Sequence, residues 1–171
     1  MIVTAGIYKG RKIHAPDEKI TRPTLSKVRM GVFNTLYSLM GSFDGKTFLD
    51  AFGGSGIMGI EAFSRGFGEV KVFELNKKSA EIIKKNYANL NLKVDLTIGD
   101  SLKLIQKLNK NYDVIYIDPP YQSGIYEKIL PTIKSGIIVA EHSEDFNTDK
   151  YTILKQKNYG GKKVTFLTKA K

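Results

Sequence analysis

From residue 47 onward, short apolar runs alternate with amphipathic stretches, and this rhythm limits the fold more than any other feature of the chain. Residues 47–51, 70–74, 94–98, 114–117 and 136–140 read as strands; residues 57–65, 77–90, 101–108 and 126–133 between them read as helices. The second of those helices carries Ala80, Ile83, Tyr87 and Leu90 at helical spacing. Strands that alternate with helices form a mostly parallel sheet covered on both faces. The end of the chain breaks the rhythm. Residues 151–157 and 163–168 flank Asn158-Tyr159-Gly160-Gly161 and read as an antiparallel hairpin. Ahead of the alternating part, residues 2–8 and 11–15 read as two short strands around Lys9-Gly10. Thr21 to Thr24 supply an N-cap and an early proline, and Leu25, Val28, Val32, Leu36 and Leu39 then recur at helical spacing. A chain of 171 residues supports one core of this kind and not two. The expectation is a single α/β domain, with a basic hairpin and helix over 1–40 and a Rossmann-like core over 41–171.

Composition narrows the chemistry. The chain has no cysteine and only two histidines, His14 and His142. It therefore has no disulfide, no thiolate zinc site and no cysteine nucleophile, and no metal site is expected. No run approaches the roughly 20 apolar residues that cross a bilayer, and the start, MIVTAGIYKGRK, is the reverse of a secretory signal, so a cytoplasmic location with no membrane partner is expected. The net charge of +10 is unevenly spread: residues 1–40 carry seven basic and two acidic side chains, residues 41–145 thirteen and fourteen, residues 146–171 seven and one. A neutral middle between two basic ends points to a polyanion, nucleic acid above all, as the partner.

The first strand of the alternating part ends in Asp50, and Gly54-Ser55-Gly56-Ile57-Met58-Gly59 then opens a helix as GxGxxG. Glu74 closes the next strand twenty residues after Gly54, where a carboxylate can take the two hydroxyls of a ribose. Strand, glycine loop, helix, strand and acid in that order point to a cofactor containing a nucleoside. A dinucleotide sets its anionic pyrophosphate against the loop, and Asp50 would repel it. The same carboxylate suits a cofactor with an ammonium group, as S-adenosylmethionine has. Phe52, Gly53 and Leu75 flank these positions. Asp100-Ser101 follows the third strand, where Asp100 can take the adenine amino group or cap the next helix.

Asp118-Pro119-Pro120-Tyr121 follows the fourth strand. Two prolines hold the backbone extended and remove two donors, so the Asp118 side chain and the Pro119 carbonyl project as acceptors. Tyr121 adds a flat face for stacking. The set suits a planar, conjugated amine whose N–H groups are bound while its lone pair is directed at an electrophilic methyl group.

With these motifs in hand, the chain resembles the RsmD-type bacterial 16S ribosomal RNA guanine-N2 methyltransferases. The resemblance rests on Gly10-Arg11-Lys12, Arg22-Pro23-Thr24 with Val28-Arg29 and Phe33-Asn34, Leu49-Asp50 with Phe52 to Gly59, Glu61-Ala62 with Ser64-Arg65-Gly66, and Asp118 to Tyr121, and it runs over most of the chain. It implies a class I methyltransferase fold, a seven-stranded sheet in which the last hairpin inserts one antiparallel strand. It implies S-adenosylmethionine as donor and a guanine amino group of small-subunit RNA as acceptor, with the substrate in the assembling or assembled subunit and the protein a monomer. It places Asp50, Gly54 and Gly56 at the methionine part of the cofactor, Glu74 at the ribose, Asp100 near the adenine and Asp118 to Tyr121 at the base. Two departures stand out: Gly53 replaces a usual alanine and is expected to loosen the loop, and the segment after Ala140 is short and polar where a longer helix is usual. Lys9, Arg11, Lys12, Arg22, Lys27 and Arg29 are the candidates for the RNA backbone.

Three other readings stay open on the residues alone. The same cofactor could serve adenine N6 of DNA or a protein glutamine, although 171 residues hold no extra target-recognition domain. An NAD-dependent oxidoreductase is compatible with GxGxxG and Glu74 but leaves Asp50, the Asp118 motif and the basic ends without a purpose. A non-enzymatic RNA-binding module would leave Asp50, Glu74 and Asp118 unexplained.

Overall fold

The structure, a computed structural model, describes residues 1–17, 25–120 and 124–171. Seven strands form one sheet in the order β3-β2-β1-β4-β5-β7-β6. They are β1 (Thr47–Asp50), β2 (Glu69–Glu74), β3 (Asp95–Ile98), β4 (Val114–Ile117), β5 (Ile137–His142), β6 (Tyr151–Tyr159) and β7 (Lys162–Lys169). The first five pair in parallel, and β7 lies antiparallel between β5 and β6. The helices are α1 (Ser26–Met40), α2 (Ile57–Ser64), α3 (Lys77–Asn89), α4 (Ser101–Gln106) and α5 (Ile125–Ile129), the last running into a single 3-10 turn over Leu130–Thr132. Every element expected between residues 47 and 169 is present. The hairpin turn is only Gly160-Gly161, because the strands on either side extend further than their apolar residues suggest.

The pleat of the sheet assigns its side chains to two cores. Phe48, Val72, Val114, Tyr116, Val139, Val164 and Phe166 pack with α1, α2 and α3 on one face. Their sequence neighbours Leu49, Phe73, Ile115, Ile117, Ile138, Ala140 and Leu167 pack with α4 and α5 on the other. This strict alternation is what a sheet buried on both sides requires. α1 docks through an aromatic cluster, with Phe33 stacked on Phe48 at 5.7 Å between centroids and Phe43 on Phe67 at 4.5 Å. Such pairs each add about 0.5–1.5 kcal/mol beyond the area they bury. α1 ends where Gly41, at φ 76°, turns left-handed and donates its N–H to the Tyr37 carbonyl.

The N-terminal segment differs from its expectation. The pairing of 2–8 with 11–15 is present as one antiparallel bridge, Ile2 with Lys12. Val3 still exchanges backbone bonds with Arg11 and Gly10, and from Thr4 onward the first run bonds to α2 instead: the Thr4 amide and hydroxyl donate to Glu61, the Ile7 amide to the Ser64 carbonyl, and the Tyr8 amide to Ser64 Oγ. The expected N-cap at Thr21 to Thr24 lies outside the described residues. Between β5 and β6 the chain crosses without a helix over residues 143–150, as the short polar segment suggested. Among the described residues no helix is long and apolar enough to cross a membrane.

Candidate active site

The strand order reverses between β1 and β4. The chain builds β2 and β3 outward from β1 and then returns to lay β4 on β1's other side. Ligands of open α/β sheets bind at such a reversal, beyond the carboxyl ends of the strands. Pairing registers place the acids there. Asp50 pairs with Val72 and with Tyr116, so Glu74 and Asp118 each stand two residues beyond a partner of Asp50. Ile117 pairs with Ala140, which brings Glu141 level with Asp118. Since side chains alternate with a period of two, Asp50, Glu74, Asp118 and Glu141 share the face on which α1 to α3 pack.

Asp50 is 1% exposed. Its Oδ1 accepts the Phe52 amide at 3.2 Å, and its Oδ2 is buried with no hydrogen-bond partner. Burial raises its pKa to about 8; the Phe52 amide opposes the rise, and the negative charges of Asp118, Glu74 and Glu141 add to it. A buried carboxylate with an idle oxygen is a costly feature in a structural turn and a suitable one for a cationic ligand. Glu74 Oε1 accepts the Gly54 amide at 2.8 Å and Oε2 the Asn76 amide at 2.7 Å, so the acid of β2 holds the glycine loop in place. Gly54 and Gly56 have φ of 59° and 82°, the left-handed region that favours glycine.

Gly53 corrects the expectation of a loosened loop. A Cβ at this position would lie 2.5 Å from Val72 Cγ1 and 2.9 Å from Ile83 Cδ1. With these neighbours the glycine allows close packing of the loop on β2 and α3, where alanine would force a shift.

The remaining cofactor candidates divide. Phe52 is half-buried and packs partly against the second core, and Leu75 is exposed beside Glu74. Ser55 Oγ accepts the Ile57 amide at 3.2 Å across Gly56, the N-cap of α2. Asp100 is the N-cap of α4, accepting the Leu102 amide at 2.9 Å, and remains exposed. The buried Ser101 hydroxyl donates to the Ala51 carbonyl, tying α4 to the end of β1.

Asp118 is half-buried, Pro119 buried and Pro120 exposed; Tyr121 lies outside the described residues. Lys162 Nζ lies 3.2 Å from Asp118 Oδ1 and 3.1 Å from Glu141 Oε1. Glu141 in turn accepts the Tyr116 hydroxyl on its other oxygen, and its backbone carbonyl accepts the Tyr126 hydroxyl. Sequence reasoning missed Lys162 and Glu141. An acid at the end of the apolar run Ile137 to Ala140 was the available signal, but its lysine partner is visible only once β7 is known to lie beside β5.

Of the basic candidates, Lys9, Arg11, Lys12 and Lys27 are exposed, and Arg22 lies outside the described residues. Arg11 donates to the Asn89 carbonyl at the C-terminal end of α3, a favourable place for a cation. Arg29 is a correction. It is 1% exposed, its Nε lies 3.3 Å from the buried Glu61, and its Nη2 donates to the Ile2 carbonyl at 2.8 Å. It holds α1 to α2 and to the N-terminal segment and does not face solvent. A separate hollow of about 370 Å³, lined by Gly6, Phe33, Asn34, Tyr37, Phe43 and Arg65, opens between α1, the N-terminal segment and the C-terminal end of α2.

Comparison with known proteins agrees with this architecture. The model of a family described as "Conserved hypothetical protein 95" matches residues 1–168. Ribosomal RNA small subunit methyltransferase D of Buchnera aphidicola is 32% identical over 161 residues, covering 92% of this chain and 83% of its own. The protein of the same name from Haemophilus influenzae is 29% identical over 174 residues, covering 92% and 88%. A solved Haemophilus influenzae structure superposes with a TM-score of 0.80 at 26% identity over 100% of this chain and 99% of that one. A family match along almost the whole length, joined to this strand order and these strand-end acids, leads to one conclusion: the chain belongs to the ribosomal RNA small subunit methyltransferase D family and is a methyltransferase.

Proposed function

We propose that this protein transfers a methyl group from S-adenosylmethionine to the exocyclic N2 of a guanine in small-subunit ribosomal RNA. The observation that carries the reading is the buried Asp50 with its unpartnered Oδ2 at the reversal of strand order, beside Asp118 on the neighbouring strand. When bound, S-adenosylmethionine supplies a methyl group already activated on a sulfonium sulfur. Asp50 would pair with its ammonium group, Glu74 with the ribose hydroxyls and Asp100 with the adenine edge. Backbone groups of residues 52–56 would line the methionine part, with Leu75 and Ser101 beside the nucleoside. Asp118 and the Pro119 carbonyl accept the two N2 hydrogens, and Pro120 keeps that acceptor pair rigid. In-line alignment and these hydrogen bonds are the protein's contribution. Lys9, Arg11, Lys12 and Lys27 would contact the RNA backbone, Arg22 and Tyr121 keep their expected roles at the RNA and the base, and a monomer acts in the cytoplasm on the assembling or assembled subunit.

The test is incubation of the purified protein with methyl-labelled S-adenosylmethionine and, in parallel, small subunits from cells lacking this gene, DNA, and protein. Label recovered from the subunits as N2-methylguanosine is expected. Label in N6-methyladenine or in protein would overturn the substrate.

Asp50 also gives cofactor binding a pH dependence. Without ligand Asp50 carries its proton below about pH 8, and pairing with an ammonium requires that proton to leave. Affinity therefore falls by about tenfold for each pH unit below 8, and it falls again at higher pH as an α-ammonium of pKa roughly 8 is lost. Dissociation constants at pH 6, 7 and 8 test this; a constant affinity across that range would contradict it. Asp50→Asn should weaken binding and remove the acid limb.

A further inference from the structure

We propose that Lys162 is a positioning residue for methyl transfer, bridging Glu141 and Asp118 so that the Asp118 carboxylate is held ionised and aimed at the acceptor amine. This rests on the reaction proposed above and adds a residue to it. Lys162 is the first residue of β7 and, with Val164 and Phe166 two and four positions on, belongs to the α1-side face of the sheet. Glu141 is 1% exposed and fixed through its Tyr116 and Tyr126 bonds. It thereby fixes the ammonium that lies 3.1 Å from it and 3.2 Å from Asp118. The hairpin tip is held on its other side too. Tyr159, the last residue of β6, rests on α1 at Gly31, where a Cβ would lie 1.8 Å from the Tyr159 hydroxyl.

The chemistry explains why a cation belongs here. In the transfer the N2 lone pair forms the new bond, the sulfur keeps the electrons of the bond that breaks, and one N2 proton leaves to water. Asp118 must accept hydrogen bonds from N2 until then. A neutral Asp118 would offer its own O–H to the lone pair and oppose attack. The negative charges of Asp118 and Glu141 oppose ionisation of Asp50, and the Lys162 ammonium stands against both of those carboxylates. Burial works against the ammonium, yet the charges of Asp118 and Glu141 outweigh burial and raise its pKa above the ordinary lysine value. It remains a cation and is not a base.

The test compares Lys162→Met and Lys162→Arg with the unchanged protein in kcat from pH 5.5 to 8.5, in KM for S-adenosylmethionine, and in a carbon-13 titration of the Asp118 carboxyl group. Among the described residues, the titratable groups around Asp118 are Lys162 on β7, Glu141 on β5, Tyr116 on β4, Asp50 on β1 and Tyr126 on α5, with Glu74 of β2 and Tyr159 of β6 acting through Asp50 and Glu141. Lys162→Met should lower kcat at neutral pH by about 10- to 100-fold. The deficit should deepen at low pH and shrink at high pH, with cofactor KM little changed, and the Asp118 titration should move upward. Lys162→Arg should restore most of the rate. An unmoved carboxyl titration, or a loss of rate equal at every pH, would overturn the role of Lys162. Absence of transfer by the unchanged protein would overturn the reaction itself and that role with it, and the carbon titration tells the two failures apart.

Discussion

Asp118→Asn is expected to lower kcat by about 10²–10³-fold while leaving the affinity for S-adenosylmethionine nearly unchanged. An asparagine of the same shape presents either a neutral oxygen, a weaker acceptor, or an NH2 group directed at the N2 lone pair. It also removes one of the two carboxylate partners of Lys162, leaving the ammonium paired with Glu141 alone. In the proposed site the cofactor is held by different groups, Asp50 and Glu74 at the ends of β1 and β2, so its binding should respond little. Losing one negative charge beside Asp50 makes that carboxyl easier to ionise, which shifts the pH of best cofactor binding slightly downward. Single-turnover rates together with equilibrium binding separate the two effects. Full turnover by Asp118→Asn would show that the chemistry lies elsewhere.

Arg29→Ala should destabilise the protein by about 3 kcal/mol, because it leaves Glu61 buried at 0% exposure with one of its two arginines gone. Arg65, also 3.3 Å from Glu61, and the Thr4 donors remain, which keeps the loss at the lower end of what breaking a buried ion pair costs. The Ile2 carbonyl loses its donor as well. For a domain of this size that corresponds to a melting temperature lower by about 6–12 °C. Thermal and denaturant unfolding measure it. Unchanged stability with weakened RNA binding would return Arg29 to an RNA-facing role.

Arg29 also shows where sequence reading loses its grip. The helical spacing of Val28, Val32 and Leu36 correctly places the buried side of α1. Arg29 stands three, four and seven residues before Val32, Phe33 and Leu36, on the buried side of α1, and is accommodated there because Glu61 lies in the apolar helix opposite. Glu61, set within the apolar run Ile57 to Phe63, was the sign that an internal cation was needed; its identity depended on how α1 crosses α2. The alternating strands were legible because a sheet covered on both faces demands apolar runs of limited length, and Asp50, Glu74 and Asp118 were legible because each ends such a run. Lys162 and Glu141 were not, since their meeting depends on β7 entering between β5 and β6, a matter of topology that no local pattern records. The first strands of the chain were overread for a similar reason. The amides of Thr4, Ile7 and Tyr8 are satisfied by Glu61 and Ser64 of α2, which competes with the ladder a longer hairpin would form.

The central claim is that acids at the ends of β1, β2 and β4 form one site for a cationic methyl donor and an amine acceptor. A crystal structure with S-adenosylhomocysteine bound tests it most directly. The account predicts the ligand's amino group on Asp50 Oδ2, its ribose hydroxyls on Glu74 and its sulfur directed toward Asp118. A ligand seated away from Glu74, or one whose amino group finds a partner other than Asp50, would contradict it.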